Sequence, residues 1–190
     1  MAIRGDSTEY NLLKEWCETL PFFEEPKSVT TCEIGVREGL GSKIIIAGIK
    51  KRIGSIPYKH IAIDPYGNLK YQHYDKGPAY TADYTDSMRL QMEEDFKEEE
   101  NFKFHHMTDI EFMNTHINSG PYDLVHFDGP HMTKDVLRES IWFADRSRKG
   151  TRFIFDDYTK FEMDQIAFVL THFGFKTLKA GENKICLQKI

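Results

Sequence analysis

The chain has 190 residues, of which 40% are hydrophobic and 29% charged, the composition of a folded protein rather than a disordered segment. At roughly 150 residues per domain, this length predicts one domain over residues 1–190, with a core large enough to need no staples. The 25 basic and 30 acidic side chains leave a net charge of −5, the wrong sign for a protein that lives on nucleic-acid phosphates or anionic lipid.

The start, MAIRGDSTEY, lacks the apolar core of a signal peptide, and the longest apolar run, Ile44 to Ala47, is too short to cross a bilayer. The expected location is the cytoplasm. Cys17, Cys32 and Cys186 are too few and too scattered for a disulfide framework or a thiolate zinc site. Residues 1–28 read as a helical extension: a helix from Ser7 to Leu20, with Asp6 and Glu9 spaced as a capping box, broken by the Pro21–Pro26 stretch.

Apolar strands then alternate with helical patterns. The strands are Val29–Val36, His60–Asp64, Phe102–Met107, Tyr122–Asp128 and Thr151–Asp156, and the helices between them are Ser42–Ile53, Ser87–Glu99, Ile110–Ile117 and Lys134–Arg146. A further helix near Met163–Phe173 ends at Gly174. Two strands, Phe175–Leu178 and Lys184–Gln188, close the chain as a hairpin around Gly181-Glu182-Asn183. The fold class is α/β, a doubly wound, mostly parallel, Rossmann-like sheet with a C-terminal antiparallel hairpin. Residues 66–84, with five tyrosines and no clear period, read as a long loop and a possible lid. Arg146-Ser147-Arg148-Lys149 reads as a helix end, where cations suit the dipole.

Ligands of open α/β sheets bind beyond the carboxyl ends of the strands. The first strand ends in Cys32-Glu33-Ile34-Gly35-Val36-Arg37-Glu38-Gly39-Leu40-Gly41-Ser42. Gly35 and Gly39 allow a tight turn and close approach of a ligand to backbone N–H groups. The spacing matches neither G-x-G-x-x-G nor the phosphate loop, and Glu33 and Glu38 would repel a pyrophosphate. Glu33, a carboxylate in an apolar strand, must meet a cation, several donors or water. Asp64 ends the second strand before Pro65, where a carboxylate can accept both ribose hydroxyls, although Asp before Pro also serves in turns.

Glu33-Ile34-Gly35-x-x-x-Gly39 followed by Asp64 resembles the cofactor site of class I S-adenosylmethionine-dependent methyltransferases. The resemblance implies that the glycine turn holds the methionine end and that Asp64 holds the ribose. It places Thr108 and Asp109, after Met107, where that family contacts the adenine.

The fourth and fifth strands end in Asp128-Gly129-Pro130-His131 and Phe155-Asp156-Asp157-Tyr158. As parallel neighbours they would bring Asp128, Asp156 and Asp157 to one edge, where three carboxylates call for protons or a hard divalent ion, most naturally Mg²⁺. The alternative makes Asp156 and Asp157 turn and cap residues. These two strand ends are similar to the macrocin O-methyltransferase-like, metal-dependent O-methyltransferase group, in which Pro130 takes the place of a frequent second Asp. That resemblance implies Mg²⁺-assisted transfer of a methyl group to a hydroxyl of a small polar molecule such as a sugar or a catechol-like phenol. Asp128 then belongs to the cofactor-binding set as well as to the metal set. His131, three residues past Asp128, is the expected base, because histidine titrates near the working pH and a lysine base stands at that spacing in catechol-type relatives. His126, inside its strand between Val125 and Phe127, reads as packed or capped. The expected partners are a small hydroxyl acceptor, with neither nucleic acid nor membrane. Two other readings stand beside this one: a nicotinamide-dependent oxidoreductase, and a non-catalytic methyltransferase-like binding module.

Overall fold

The computed structural model describes residues 8–67, 69–81 and 83–190. The chain runs α1 (Tyr10–Glu18), β1 (Val29–Ile34), α2 (Leu40–Ile53), β2 (Tyr58–Ile63), a short hairpin of β3 (Lys70–Tyr71) and β4 (Tyr80–Thr81), then α3 (Asp86–Asp95) and β5 (Phe102–His105). It continues with α4 (Asp109–Thr115), β6 (Tyr122–Phe127), α5 (Thr133–Asp145), β7 (Ser147–Phe155), a 3-10 turn (Tyr158–Lys160), α6 (Met163–Thr171), β8 (Phe175–Ala180) and β9 (Ile185–Lys189). The main sheet has seven strands in the order β5-β2-β1-β6-β7-β9-β8. The first five are parallel, and β9 runs antiparallel to both of its neighbours. The sheet is therefore doubly wound, with the expected antiparallel C-terminal hairpin.

Alternation along the strands divides the core between the two faces. Val125, Phe127, Phe153 and Phe155 pack with Phe112, Phe143, Ile166 and Leu170 of α4, α5 and α6. Leu124, Ile154 and Cys186 pack on the other face with Leu13 and Trp16 of α1 and Ile45 and Ile49 of α2. A smaller cluster joins Val36, Ile46, Tyr66, Met92 and Phe96. Among the described residues no helix is long and apolar enough to cross a membrane.

Three local expectations change. Asp6 of the expected capping box and Ser7, the expected helix start, lie outside the described residues, and Glu9, at the N-cap of α1 in a left-handed conformation (φ 57°), makes no side-chain cap. Its carboxylate instead accepts the backbone N–H groups of Glu182 (2.9 Å), Asn183 (2.8 Å) and Lys184 (2.8 Å), fastening the extension to the β8–β9 turn. The run Arg146–Lys149 is a helix end only at Arg146, which C-caps α5: β7 begins at Ser147, and the Arg148 guanidinium pairs with buried Asp123 (Nε to Oδ1 2.5 Å, Nη2 to Oδ2 2.8 Å). A carboxylate taken out of water needs such a partner, and the demand of Asp123 overrides the local helical signal. The tyrosine-rich stretch holds a small hairpin and is pinned across the β6–α5 turn, where His131 N–H donates to the His73 carbonyl (2.8 Å) and Thr133 N–H to Asp75 (3.1 Å).

Candidate active site

The strand order reverses between β1 and β6, so their carboxyl ends open the crevice in which such sheets bind ligands. Gly35 (φ 82°) begins the turn after β1, and a Cβ there would come 2.1 Å from the Asp128 carbonyl oxygen. Only glycine lets the two strands end this close together. Gly39 (φ 85°) N-caps α2, where a Cβ would meet the Phe96 ring at 2.7 Å; it serves the packing of α3. Asp64 fastens the same turn. Its Oδ2 accepts the N–H groups of Val36 (2.8 Å) and Arg37 (3.0 Å), and its Oδ1 accepts that of Tyr66 (2.9 Å). Burial raises the Asp64 pKa, and these three backbone donors only partly counter it.

A line of buried polar groups crosses the α1/α2 face of the sheet. Thr31 Oγ1 meets His60 Nδ1 (2.8 Å), His60 Nε2 meets Ser42 Oγ (2.9 Å), and Ser42 donates to Glu33 Oε2. Glu33 Oε1 meets Nδ1 of His126, its register partner on β6, at 2.9 Å. Glu33 thus finds the donors that a buried carboxylate requires. Nε2 of His126 lies 3.4 Å from Lys184 Nζ, and this ammonium sits 2.6 Å from Asp156 Oδ1. Lys184 is 0% exposed. β9 pairs Phe155 with Ile185 in antiparallel register, and one further step sets Asp156 opposite Lys184. Burial and the Asp156 charge push the Asp128 carboxyl well above the usual carboxylate range, whereas Lys184 overcomes the burial of Asp156 and holds that carboxyl low. Two close carboxylates divide in this way, one held high and one held low.

A cavity of about 320 Å³ lies in the crevice, lined by Gly35, Asp64, Thr108, Asp109 and Asp128 together with His73 of the insertion. A recess of about 40 Å³ beside it is lined by Glu33, Gly35, Glu38, Tyr84 and Asp128. Gly39 borders neither. Thr108 caps α4 in a capping box with Glu111, and Asp109 pairs with Arg138 at 3.0 Å.

The expected metal triad does not gather. Among the described residues, the one group of three or more donors within 4.8 Å of one another is Glu33, His126 and Asp128, and Glu33 is already bonded to His126 and Ser42. Asp157 stands in a left-handed conformation (φ 47°) where the 3-10 turn begins, and Lys184 holds Asp156. His131 is 5% exposed; its Nδ1 meets His73 Nε2 at 3.1 Å, and its Nε2 has no hydrogen-bond partner among the described residues. Burial, then the neighbouring His73, lower its pKa to about 3. The imidazole is therefore neutral at pH 7.

Lys184, Ser42, His60 and His73 escape a reading of the sequence. An opposite charge directly across from Asp156 on an antiparallel strand is a recognisable signal, but only once the register is known. Glu139 is a further surprise: 1% exposed, without a partner on Oε1 among the described residues, and close to Asp109.

Two outcomes follow from this geometry. Asp64 is 2% exposed, not at an exposed strand end, so Asp64→Ala strands three backbone donors and should cost about 1–3 kcal/mol of stability as well as ligand affinity; chemical denaturation that finds native stability would contradict this. Burial, then Asp109, raise the Glu139 pKa well above its usual value, so the folded state keeps a proton that the unfolded chain releases above about pH 4.3. That contribution is lost as pH rises, at up to about 1.4 kcal/mol per pH unit. Glu139→Gln should therefore be more stable than the native protein at pH 8, with the gap closing toward pH 4 in melting curves.

The methyltransferase domain model matches residues 32–158, more than half of the chain, including the glycine turn and both aspartate-ended strands. No curated protein matches. Among solved structures, the fold is similar to an O-methyltransferase from Bacillus cereus in complex with S-adenosylhomocysteine (9% identity, TM-score 0.62, covering 100% of this chain and 84% of that one). It is also similar to a methyltransferase of Podospora anserina bound to the same compound (11%, 0.61, 95% and 77%). A third likeness is to a ribosomal protein L11 methylase from Lactobacillus delbrueckii subsp. bulgaricus (13%, 0.55, 95% and 78%). At these identities the likenesses speak for the fold, and the family match speaks for membership: the chain belongs to the methyltransferase domain family.

Proposed function

We propose that this enzyme methylates a hydroxyl oxygen of a small polar molecule, such as a sugar or a catechol-like phenol. The observation that carries the reading is His131, a buried neutral imidazole whose Nε2 has no partner among the described residues. It follows the strand end whose Asp128 borders both the cavity and the recess, while its own ring lines neither and stacks between Tyr74 and Phe161 just behind the wall.

The crevice fits the cofactor. Carboxylates of Glu33 and Glu38 at the recess suit the cationic methionine end, Asp64 and Asp109 border the larger cavity, and Leu69 and Ile110 give it apolar walls suited to a purine. When bound, S-adenosylmethionine would supply an electrophilic methyl group on a sulfonium, whose sulfur keeps the bonding electron pair and leaves as a neutral thioether. The chain's own work is to align the acceptor and to remove its proton. With His131 donating through Nδ1 to His73 Nε2, the Nε2 lone pair is left to receive the hydroxyl proton as the oxygen–carbon bond forms. A weak base suffices, because an oxygen that has gained a methyl group while still protonated is strongly acidic. The divalent ion expected at Asp128, Asp156 and Asp157 does not fit these residues as they stand, since the Lys184 ammonium already holds Asp156; no step here uses it.

A ligand that binds only the native state stabilises it by about 2.7 kcal/mol at 100 times its dissociation constant. S-adenosylhomocysteine should raise the melting temperature accordingly, and NAD should not; the opposite pattern would restore the nicotinamide reading. Across a panel of sugars and catechols, His131→Ala should lower the rate of methyl transfer by about 10²–10⁴ while S-adenosylhomocysteine still binds. Because the His131 pKa lies at about 3, the native rate should show no His131-dependent acid limb between about pH 5 and 7. A limb in that range that His131→Ala removes would show that the imidazole is not buried as described.

A further inference from the structure

The geometry points to Lys184 as a built-in cation: its ammonium supplies, from within the chain, the positive charge that this carboxylate edge would otherwise take from a divalent ion, and methyl transfer runs without a bound metal. The inference rests on reading this edge as the methyl-transfer site. Three independent features hold the ammonium there. First, antiparallel pairing of β9 with β7 sets residue 184 opposite residue 156, so the charge arrives by backbone register rather than by a flexible reach. Second, the turn that delivers it is clamped: Glu9 accepts the Lys184 N–H (2.8 Å) and the Lys184 carbonyl accepts from Gly181 N–H (2.7 Å). Third, Nζ is buried among groups that suit a cation. It lies 2.6 Å from Asp156 Oδ1 and 3.4 Å from His126 Nε2, with the Tyr10 ring centroid at 5.7 Å.

A divalent ion at Asp156 would compete with this ammonium for the same carboxylate and would meet its charge at close range. A hard cation also needs several oxygen ligands converging on it, and with Lys184 holding Asp156 the carboxylates of Asp128, Asp156 and Asp157 do not form such a group. An ammonium needs less, because three donors on one atom are satisfied by a carboxylate and a few polar neighbours. Lys184 is thus a positioning residue. It keeps Asp156 ionised and the pair with Asp128 compact, at the edge where the acceptor hydroxyl meets His131.

The test measures Mn²⁺ binding to the full chain by electron paramagnetic resonance, with S-adenosylhomocysteine present, alongside melting curves with and without EDTA. The native protein should show no saturable Mn²⁺ site and an EDTA-insensitive melting temperature. Lys184→Met should acquire one Mn²⁺ site with a matching rise in melting temperature, and adding Asp156→Asn should remove both. A stoichiometric Mn²⁺ site in the native protein that Asp156→Asn abolishes would overturn the inference. So would a folded Lys184→Met that binds no Mn²⁺, which would reduce the lysine to a structural counter-ion. If Lys184→Met does not fold, the native protein with and without Asp156→Asn decides alone. Failure of S-adenosylhomocysteine to bind would instead count against the methyl-transfer reading, and the melting curves register that separately.

Discussion

A lysine ammonium with no exposed surface, 2.6 Å from a buried aspartate, is the constraint on which the rest of the site depends. Isolated charges cannot be buried without large cost, and a pair is tolerated only when its geometry is tight and its remaining polar atoms are met. Here that requirement is satisfied by a line of side chains running from Thr31 through His60, Ser42, Glu33 and His126 to Lys184, Asp156 and Asp128. Every member except Ser42, which α2 supplies, lies on or beside a strand of the central sheet, so the positions of these polar groups are set largely by strand register. Removing one partner from such a network leaves others unsatisfied, which makes the edge stiff.

The same logic explains the division of labour around the crevice. Gly35 and Asp64 are residues of the turn before they are residues of a ligand site: one lets β1 and β6 approach, the other ties down three backbone N–H groups. The cavity exists because this turn is fixed. The insertion between β2 and α3 then closes one side of it. Anchored through His73 and Asp75 to the β6–α5 turn, it contributes Leu69, Tyr71 and His73 to the wall and covers His131 with the Tyr74 ring. Burial of His131 under this insertion is what depresses its pKa.

Much of this was legible in the residues alone. The alternation of apolar strands with helical patterns predicts the doubly wound sheet, because burial on both faces leaves near-continuous apolar runs such as Leu124–Phe127. The glycine turn and the aspartates at the strand ends are legible because position in such a sheet is nearly position in the site. Lys184 was not, because its role comes from an antiparallel pairing that places residues 28 positions apart side by side. Nor was the clamp made by Asp64, since backbone donors leave no mark in a sequence. Arg148 reads locally as a helix end, and only the buried Asp123 across the sheet turns that segment into strand. The polar residues that local pattern misassigns are those whose partners lie far away in the chain.

A cofactor held by the β1 turn and a lysine where a metal would sit meet at one edge of the sheet. Both are visible in a single crystal structure grown with S-adenosylhomocysteine and MnCl₂, with data collected at a wavelength where manganese scatters anomalously. The account predicts the nucleoside in the cavity between Asp64 and Asp128, and Lys184 Nζ against Asp156 with no anomalous peak between the carboxylates. A manganese peak bridging Asp128 and Asp156, with the lysine side chain turned away, would contradict it.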